Sequence, residues 1–281
     1  MTMADPFGYS MNTSTVGAQK LPLTELVDIT AAAGYGAIEP WIAEIEAFAE
    51  NAPLSDMKKR IADKGLQVTS AIGFAEWIVD DPARRRAGME RMAKDMDSVA
   101  AIGGSCIAAP PWGAHETAGP ALPVIAERYA ALLELGRQHG VTPLIELWGF
   151  SKTLNRLGEV AYVATECGDA DARLLLDVYH LYKGGSPASG LSVLNGKSIP
   201  VFHVNDYPAN IPPAKIIDAD RVHVGDGIAP LNQIFRTLKA IGFSGWLSVE
   251  LFNKDYWAQD PLSVAKTALH KVKAAVHRAV G

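Results

Sequence analysis

The sequence predicts a closed barrel of eight parallel β-strands with helices between them, on three observations. Short apolar runs rich in β-branched residues alternate with longer amphipathic segments, the pattern of a parallel sheet with covered faces. Eight such runs fit into 281 residues, close to the roughly 250 residues of a (β/α)8 barrel. No GxGxxG follows the first run and no GxxxxGK[ST] occurs anywhere, so open nucleotide-binding sheets lose their usual support.

The first strand is read at Phe7–Asn12. Gly34–Glu39 turns into the second, Gly65–Ile72 is the third, and Gly104–Ala109 is the fourth, stopped by Pro110-Pro111. Val141–Leu147, Arg173–Val178, Ile199–Asn205 and Gly245–Leu251 complete the set. Runs that are apolar throughout, such as Leu174-Leu175-Leu176, suit strands covered on both faces. Helical periodicity covers Leu23–Ala33, Leu54–Lys64, Pro82–Ile102, Pro120–His139, Leu157–Cys167, Pro230–Ile241 and Pro261–Val280. Several of these open on proline, whose missing N–H costs nothing in a first turn, and several close at glycine. Gly184–Ser198 and Tyr207–Asp226 are the longest irregular stretches, a length common in functional lids. No linker or low-complexity segment interrupts the pattern, so one catalytic domain over residues 1–281 is expected.

Composition narrows the function. The net charge is −5, against the basic surface of most duplex-binding proteins, so no nucleic-acid partner is expected. Cys106 and Cys167 form no CxxC pair and read as free thiols of a reducing compartment. The N-terminal stretch has no basic segment leading into an apolar run, and nothing approaches the roughly 18 apolar residues of a membrane span. A cytoplasmic protein without a membrane partner is expected.

Residues at the C-terminal ends of barrel strands face the active site. Glu146, Asp177, His203 and Glu250 each fall at the end of one of the last four strands, spaced 31, 26 and 47 positions apart. A charged residue closing an apolar strand is costly unless paired or coordinated, and three carboxylates converging with an imidazole would repel one another without a cation. One divalent metal ion satisfies them. Oxygen-rich ligation with one nitrogen suits Mn2+ first, with Mg2+, Co2+ or Zn2+ as alternatives. Trp112 and Trp148, near strand ends, are candidates to stack on a sugar C–H face.

The segments IELWG, LLLDVYHLY, VFHVNDYP, RVHVGDGIAPL and WLSVEL, in this order, resemble the sugar phosphate isomerase/epimerase family with the xylose isomerase-like TIM barrel. That family includes ketohexose 3-epimerases, 2-keto-myo-inositol isomerase, 3-dehydroshikimate dehydratase and, more distantly, endonuclease IV. The resemblance implies that Glu146, Asp177, His203 and Glu250 hold the metal, and that Glu146 and Glu250 also move protons. It implies substrate contacts for His180, Arg221 and Glu39, the last as a residue of the rim. The implied activity is metal-dependent isomerisation or epimerisation of a small keto-sugar or keto-polyol through an enediolate, with Glu146 and Glu250 as the acid/base pair. A homo-oligomer is a further expectation, since the family is often dimeric or tetrameric.

Three other readings stand beside it. A dehydratase of the 3-dehydroshikimate type would use the same metal site, with Arg221 for the substrate carboxylate. An endonuclease IV-like phosphodiesterase would need further histidine ligands, and the third and fourth strand ends read TSAIGF and IAAPPW, without histidine. A non-catalytic barrel subunit would have no reason to keep all four ligand types. No dedicated phosphate cradle is evident, which favours an unphosphorylated substrate.

Overall fold

The structure, a computed structural model, describes residues 6–17 and 21–281. The reading of the N-terminal stretch falls partly on residues 1–5, and the expected single domain also takes in these and 18–20; both groups lie outside the described residues.

Among the described residues eight strands form: β1 (Gly8–Asn12), β2 (Ala37–Glu39), β3 (Gln67–Val68), β4 (Cys106–Ala109), β5 (Thr142–Glu146), β6 (Arg173–Asp177), β7 (Val201–Val204) and β8 (Trp246–Val249). Every pairing is parallel and the order is β3-β2-β1-β8-β7-β6-β5-β4. The sheet curls into a barrel. At the β3–β4 seam, Ala108 N donates to Ala71 O at 2.9 Å.

The helices are α1 (Leu23–Ala33), α2 (Ile42–Ala49), α3 (Leu54–Asp63), α4 (Pro82–Ala101), α5 (Leu122–His139), α6 (Leu157–Glu166), α7 (Val178–Lys183), α8 (Leu231–Ala240), α9 (Lys254–Trp257) and α10 (Pro261–Val280). α1 and α10 match the expected spans, and the other anticipated helices differ by one or two residues at an end. Sequence reading missed α2, α7 and α9. α7 is short and begins inside the run read as a strand end, where the Asp177 carboxylate caps it by accepting from His180 N at 3.0 Å. The stretch 184–198, expected to be irregular, contains 3-10 turns at Ala188–Val193 and Gly196–Ser198. Cys106 and Cys167 are free and half-buried.

The pleat sorts the strand residues into two layers. Leu144, Leu175 and Val201 pack inside the barrel with Ile72 and Ala108. Their neighbours Ile145, Leu174, Leu176 and Phe202 join the larger core outside it. Side chains two apart on a strand share a face. Glu146, Asp177 and His203 each stand two residues beyond an inward-facing residue, so the pleat turns all three into the mouth of the barrel.

Candidate metal centre and cavity

The register fixes relative heights. Asp177 pairs with His203 and His203 with Ser248, while Glu146 pairs with Leu175, one inward layer below Asp177. Glu250 lies just past β8 and its N–H still bonds Val204 O at 3.2 Å. Ligand atoms of Asp177, His203 and Glu250 lie within 4.8 Å of one another, all on buried residues. Glu146, the fourth expected ligand, falls outside this group of three but is buried and lines the same cavity.

A second set of side chains holds these in place. Glu39 is fully buried, and its Oε2 lies 2.9 Å from His203 Nε2. The same oxygen accepts from Ser248 Oγ at 2.7 Å and Asn12 Nδ2 at 3.1 Å. The sequence reading put Glu39 on the rim against substrate; the structure instead buries it against Nε2 of His203. Asn12 Nδ2 also donates to Glu250 Oε1 at 3.1 Å, and Asn12 Oδ1 accepts from Trp41 Nε1 at 3.2 Å. Asn205 Nδ2 spans both oxygens of Asp177 at 3.2 and 3.1 Å. Asn12 and Asn205 went unnoticed in the sequence, where their only signal is a polar residue closing an apolar run.

The donor chemistry suits a cation. A carboxylate facing Nε2 of His203 makes Nε2–H the donor and leaves Nδ1 aimed toward Glu250 Oε2 (3.3 Å) and Asp177 Oδ2 (3.8 Å). Nδ1 has no directed hydrogen bond, and neither does Oε2 of Glu146 or Oδ1 of Asn205, all buried. Burial disfavours charge on His203, but Glu250 and Glu39 outweigh it and hold its pKa well above the ordinary value. A divalent ion would take the place of that proton, since metal binding displaces protons from its ligands.

Arg221 supplies positive charge from the loop before α8. It is buried, and its Nη1 lies 3.0 Å from Asp177 Oδ2 and 2.6 Å from Glu250 Oε2. Its Nη2 meets Asp218 Oδ1 at 2.5 Å. The guanidinium lies over the Tyr179 ring, 4.2 Å from its centroid, and 5.0 Å from that of Phe252. Burial opposes ionisation of Glu250, but His203 and Arg221 prevail and hold its pKa below the ordinary carboxylate value. Burial raises Glu146 to about 8, with His203 pulling down and Glu250 pushing up. The two carboxylates are thus driven apart, as in acid/base pairs. His180 is lowered by burial to about 3 and is neutral. Its Nδ1 accepts from Gly149 N at 3.3 Å, so the proton rests on Nε2, which faces Arg221 Nη2 at 3.4 Å.

Above this floor is a cavity of about 190 Å3 walled by Trp41, Phe74, Trp148, Phe150 and Phe252. Trp148 lines it as expected of a wall residue. Trp112 is not on the lining. It stacks on His115 (ring centroids 4.8 Å apart) and packs behind Phe74 and Trp148.

Buried carboxylates and an imidazole at the C-terminal mouth give this (β/α)8 barrel a candidate metal site. The chain belongs to the xylose isomerase-like TIM barrel family, whose sequence profile matches residues 27–274. It is 29% identical over 154 residues to an inosose isomerase of Bacillus velezensis, 54% of this chain and 55% of that one. The match to an inosose isomerase of Halalkalibacterium halodurans is 32% over 138 residues, 49% of each chain, so the chain spans about half the length of these curated relatives. Among solved structures, the IolI protein with a bound zinc atom superposes with a TM-score of 0.89, 20% identity and coverage of 98% of this chain and 100% of that one. No described helix is long and apolar enough to cross a membrane.

Proposed function

We propose that the chain is a divalent-metal-dependent isomerase or epimerase of a small, uncharged keto-sugar or keto-polyol. The observation that carries this reading is the approach of Asp177, His203 and Glu250 ligand atoms to within 4.8 Å of one another, beside Glu146 in one aromatic-walled cavity. Similarity to inosose isomerases supports the substrate class.

Asp177, His203 and Glu250 would hold the ion, with Glu146 as a fourth ligand, and the ion would polarise a ketone oxygen as a Lewis acid. Mn2+ suits this donor set, and Zn2+ suits it too. Glu250, kept ionised by Arg221, takes the proton from the carbon next to the ketone. Glu146, whose buried Oε2 accepts no hydrogen bond, returns a proton exchanged with solvent. Return to the opposite face of the same carbon gives the epimer, and return to the neighbouring carbon gives the isomer. General acid–base catalysis of this kind contributes about 10²- to 10⁴-fold. His180 Nε2–H is a donor for a substrate hydroxyl. Trp41, Phe74 and Trp148 cover the C–H face and exclude water.

The dehydratase alternative asks Arg221 to bind a substrate carboxylate. Arg221 is already engaged by Asp177, Asp218 and Glu250, so nothing in the cavity favours it. The test is incubation of Mn2+-loaded protein in D2O with 2-keto-myo-inositol, D-fructose and L-ribulose in turn, followed by NMR. Conversion of one of them with deuterium uptake at the carbon beside the ketone is expected, and its loss in E250Q and E146Q. No conversion and no exchange with any of them would overturn the proposal.

A further inference from the structure

The cavity lining carries one guanidinium, Arg221, and three carboxylates, Glu146, Asp218 and Glu250. Of these, Asp218 alone is outside the proposed metal and proton-transfer set. It stands on the 3-10 turn Asp218–Asp220, in the long loop between β7 and α8. The turn is fixed locally: Ile217 N donates to Asp220 Oδ2 at 2.9 Å, and Arg221 N donates to Asp218 O at 3.2 Å. The Asp218 side chain is 41% exposed, whereas that of Arg221 is 1% exposed. Asp218 therefore meets the guanidinium from the solvent side, at the edge an incoming ligand would approach.

Charge at that edge decides which ligand can enter. Arg221 Nη1 donates to Asp177 and Glu250, while Nη2 donates to Asp218 at 2.5 Å and lies 3.4 Å from His180 Nε2. A carboxylate or phosphate on a ligand would have to displace Asp218 from Nη2, and would do so beside Glu146 and Glu250. A hydroxyl meets neither obstacle, because it can donate to Asp218 and accept from His180. We propose that Asp218 is a specificity-determining residue that closes this site to anionic ligands by occupying the outward edge of Arg221. The proposal rests on the cavity being the substrate site of the proposed function. Because Asp218 is not a proposed metal ligand, it remains the counter-ion of Arg221 in the metal-loaded protein.

The experiment compares two ring-shaped probes of similar size, neutral myo-inositol and anionic shikimate, by calorimetry on the Mn2+-loaded protein. D218N removes the charge and keeps the shape; D218S removes both. The wild-type protein is expected to bind myo-inositol, with shikimate weaker by about 10-fold or more, the scale a like charge imposes at a few ångströms. D218N should narrow that gap and D218S should reverse it, with myo-inositol changed less than about threefold, the size of one exposed hydrogen bond. Circular dichroism checks that both variants fold. Unchanged shikimate binding in both variants, or shikimate binding the wild type as well as myo-inositol does, overturns the role of Asp218. A charge switch in a protein that converts no keto-polyol would instead overturn the proposed reaction and leave Asp218 as stated.

Discussion

Oε2 of Glu39 lies 2.9 Å from Nε2 of His203, and neither side chain is exposed at all. The contact joins β2 to β7 across the barrel and sets which imidazole nitrogen faces Asp177 and Glu250. A carboxylate behind a ligating histidine fixes its tautomer and raises its basicity. Replacing Glu39 by glutamine keeps the shape and removes the charge. E39Q is expected to fold and to bind Mn2+ or Zn2+ about 10- to 100-fold more weakly, read by competition with a chromophoric chelator. Unchanged affinity would mean that Glu39 only fills space under the histidine.

Arg221 and a metal ion address the same carboxylate oxygens. R221A leaves Asp177 and Glu250 buried without their guanidinium, and breaking a buried pair from one side costs about 3–5 kcal/mol. The metal-depleted variant should therefore melt well below the metal-depleted wild type. Adding Mn2+ should raise the Tm of R221A by more than it raises that of the wild type, because the ion replaces the lost charge. Equal shifts in differential scanning fluorimetry would show that Arg221 and the ion do not share those oxygens.

The eight strands and the convergence of Asp177, His203 and Glu250 were legible because the cues are local. An apolar run of four or five residues with glycine before it and an acid or histidine near its end announces both the strand and its inward-facing tip. The supporting residues were not legible, because their partners are assembled by closure of the barrel. Asn12 and Glu250 are 238 positions apart and meet only because β1 pairs with β8. Glu39 was noticed but misplaced, since a strand-end position says that a side chain points inward and not what lies above it. Trp112 was assigned to the cavity on residue type and its place near a strand end, whereas Phe74, in the loop after β3, takes that wall. The segment from Ile42 to Ala49 went unread as a helix. It begins at a cap that spans elements: Glu44 Oε2 accepts from Trp41 N at 3.0 Å and from Thr13 Oγ1 at 2.9 Å.

Asp95 on α4 gives a pH dependence away from the site. It is 1% exposed, with Arg91 Nε at 2.7 Å from Oδ1. Burial raises its pKa, Arg91 pulls back, and the result is about 6, above the ordinary 3.8. The folded state thus prefers the protonated acid. That preference is fully present below pH about 4 and is lost as pH rises through about 6, at a cost of up to about 3 kcal/mol by pH 8. D95N mimics the neutral form at every pH. It should exceed the wild type in urea stability at pH 8 and match it at pH 4; a constant difference between the two would remove Asp95 as the titrating group.

The loop bearing Arg221 is held from the end of β7. Asp206, 1% exposed at the end of β7, gathers four backbone N–H groups. Its Oδ1 accepts from Tyr207 N and Ala229 N, both at 2.8 Å, and its Oδ2 from Gly225 N and Gly227 N, both at 3.0 Å. Its own backbone bonds Val222 in both directions, at 3.0 and 2.9 Å, one residue after Arg221. Gly227 is required for this approach, because a Cβ there would overlap the Asp206 carboxylate and Tyr207 O. D206A leaves four donors without their acceptor, at about 1 kcal/mol each, so a loss of about 3–4 kcal/mol in urea denaturation is expected. D206N should lose nearly as much, since its amide N–H would face two of the four donors. If the turn positions Arg221, KM for the keto-polyol should rise in D206N beyond what its residual folded fraction explains. A stability loss with KM unchanged would mean that Arg221 is held by Tyr179, Asp218 and the carboxylates alone, and that the Gly-Asp-Gly turn serves the fold without serving the site.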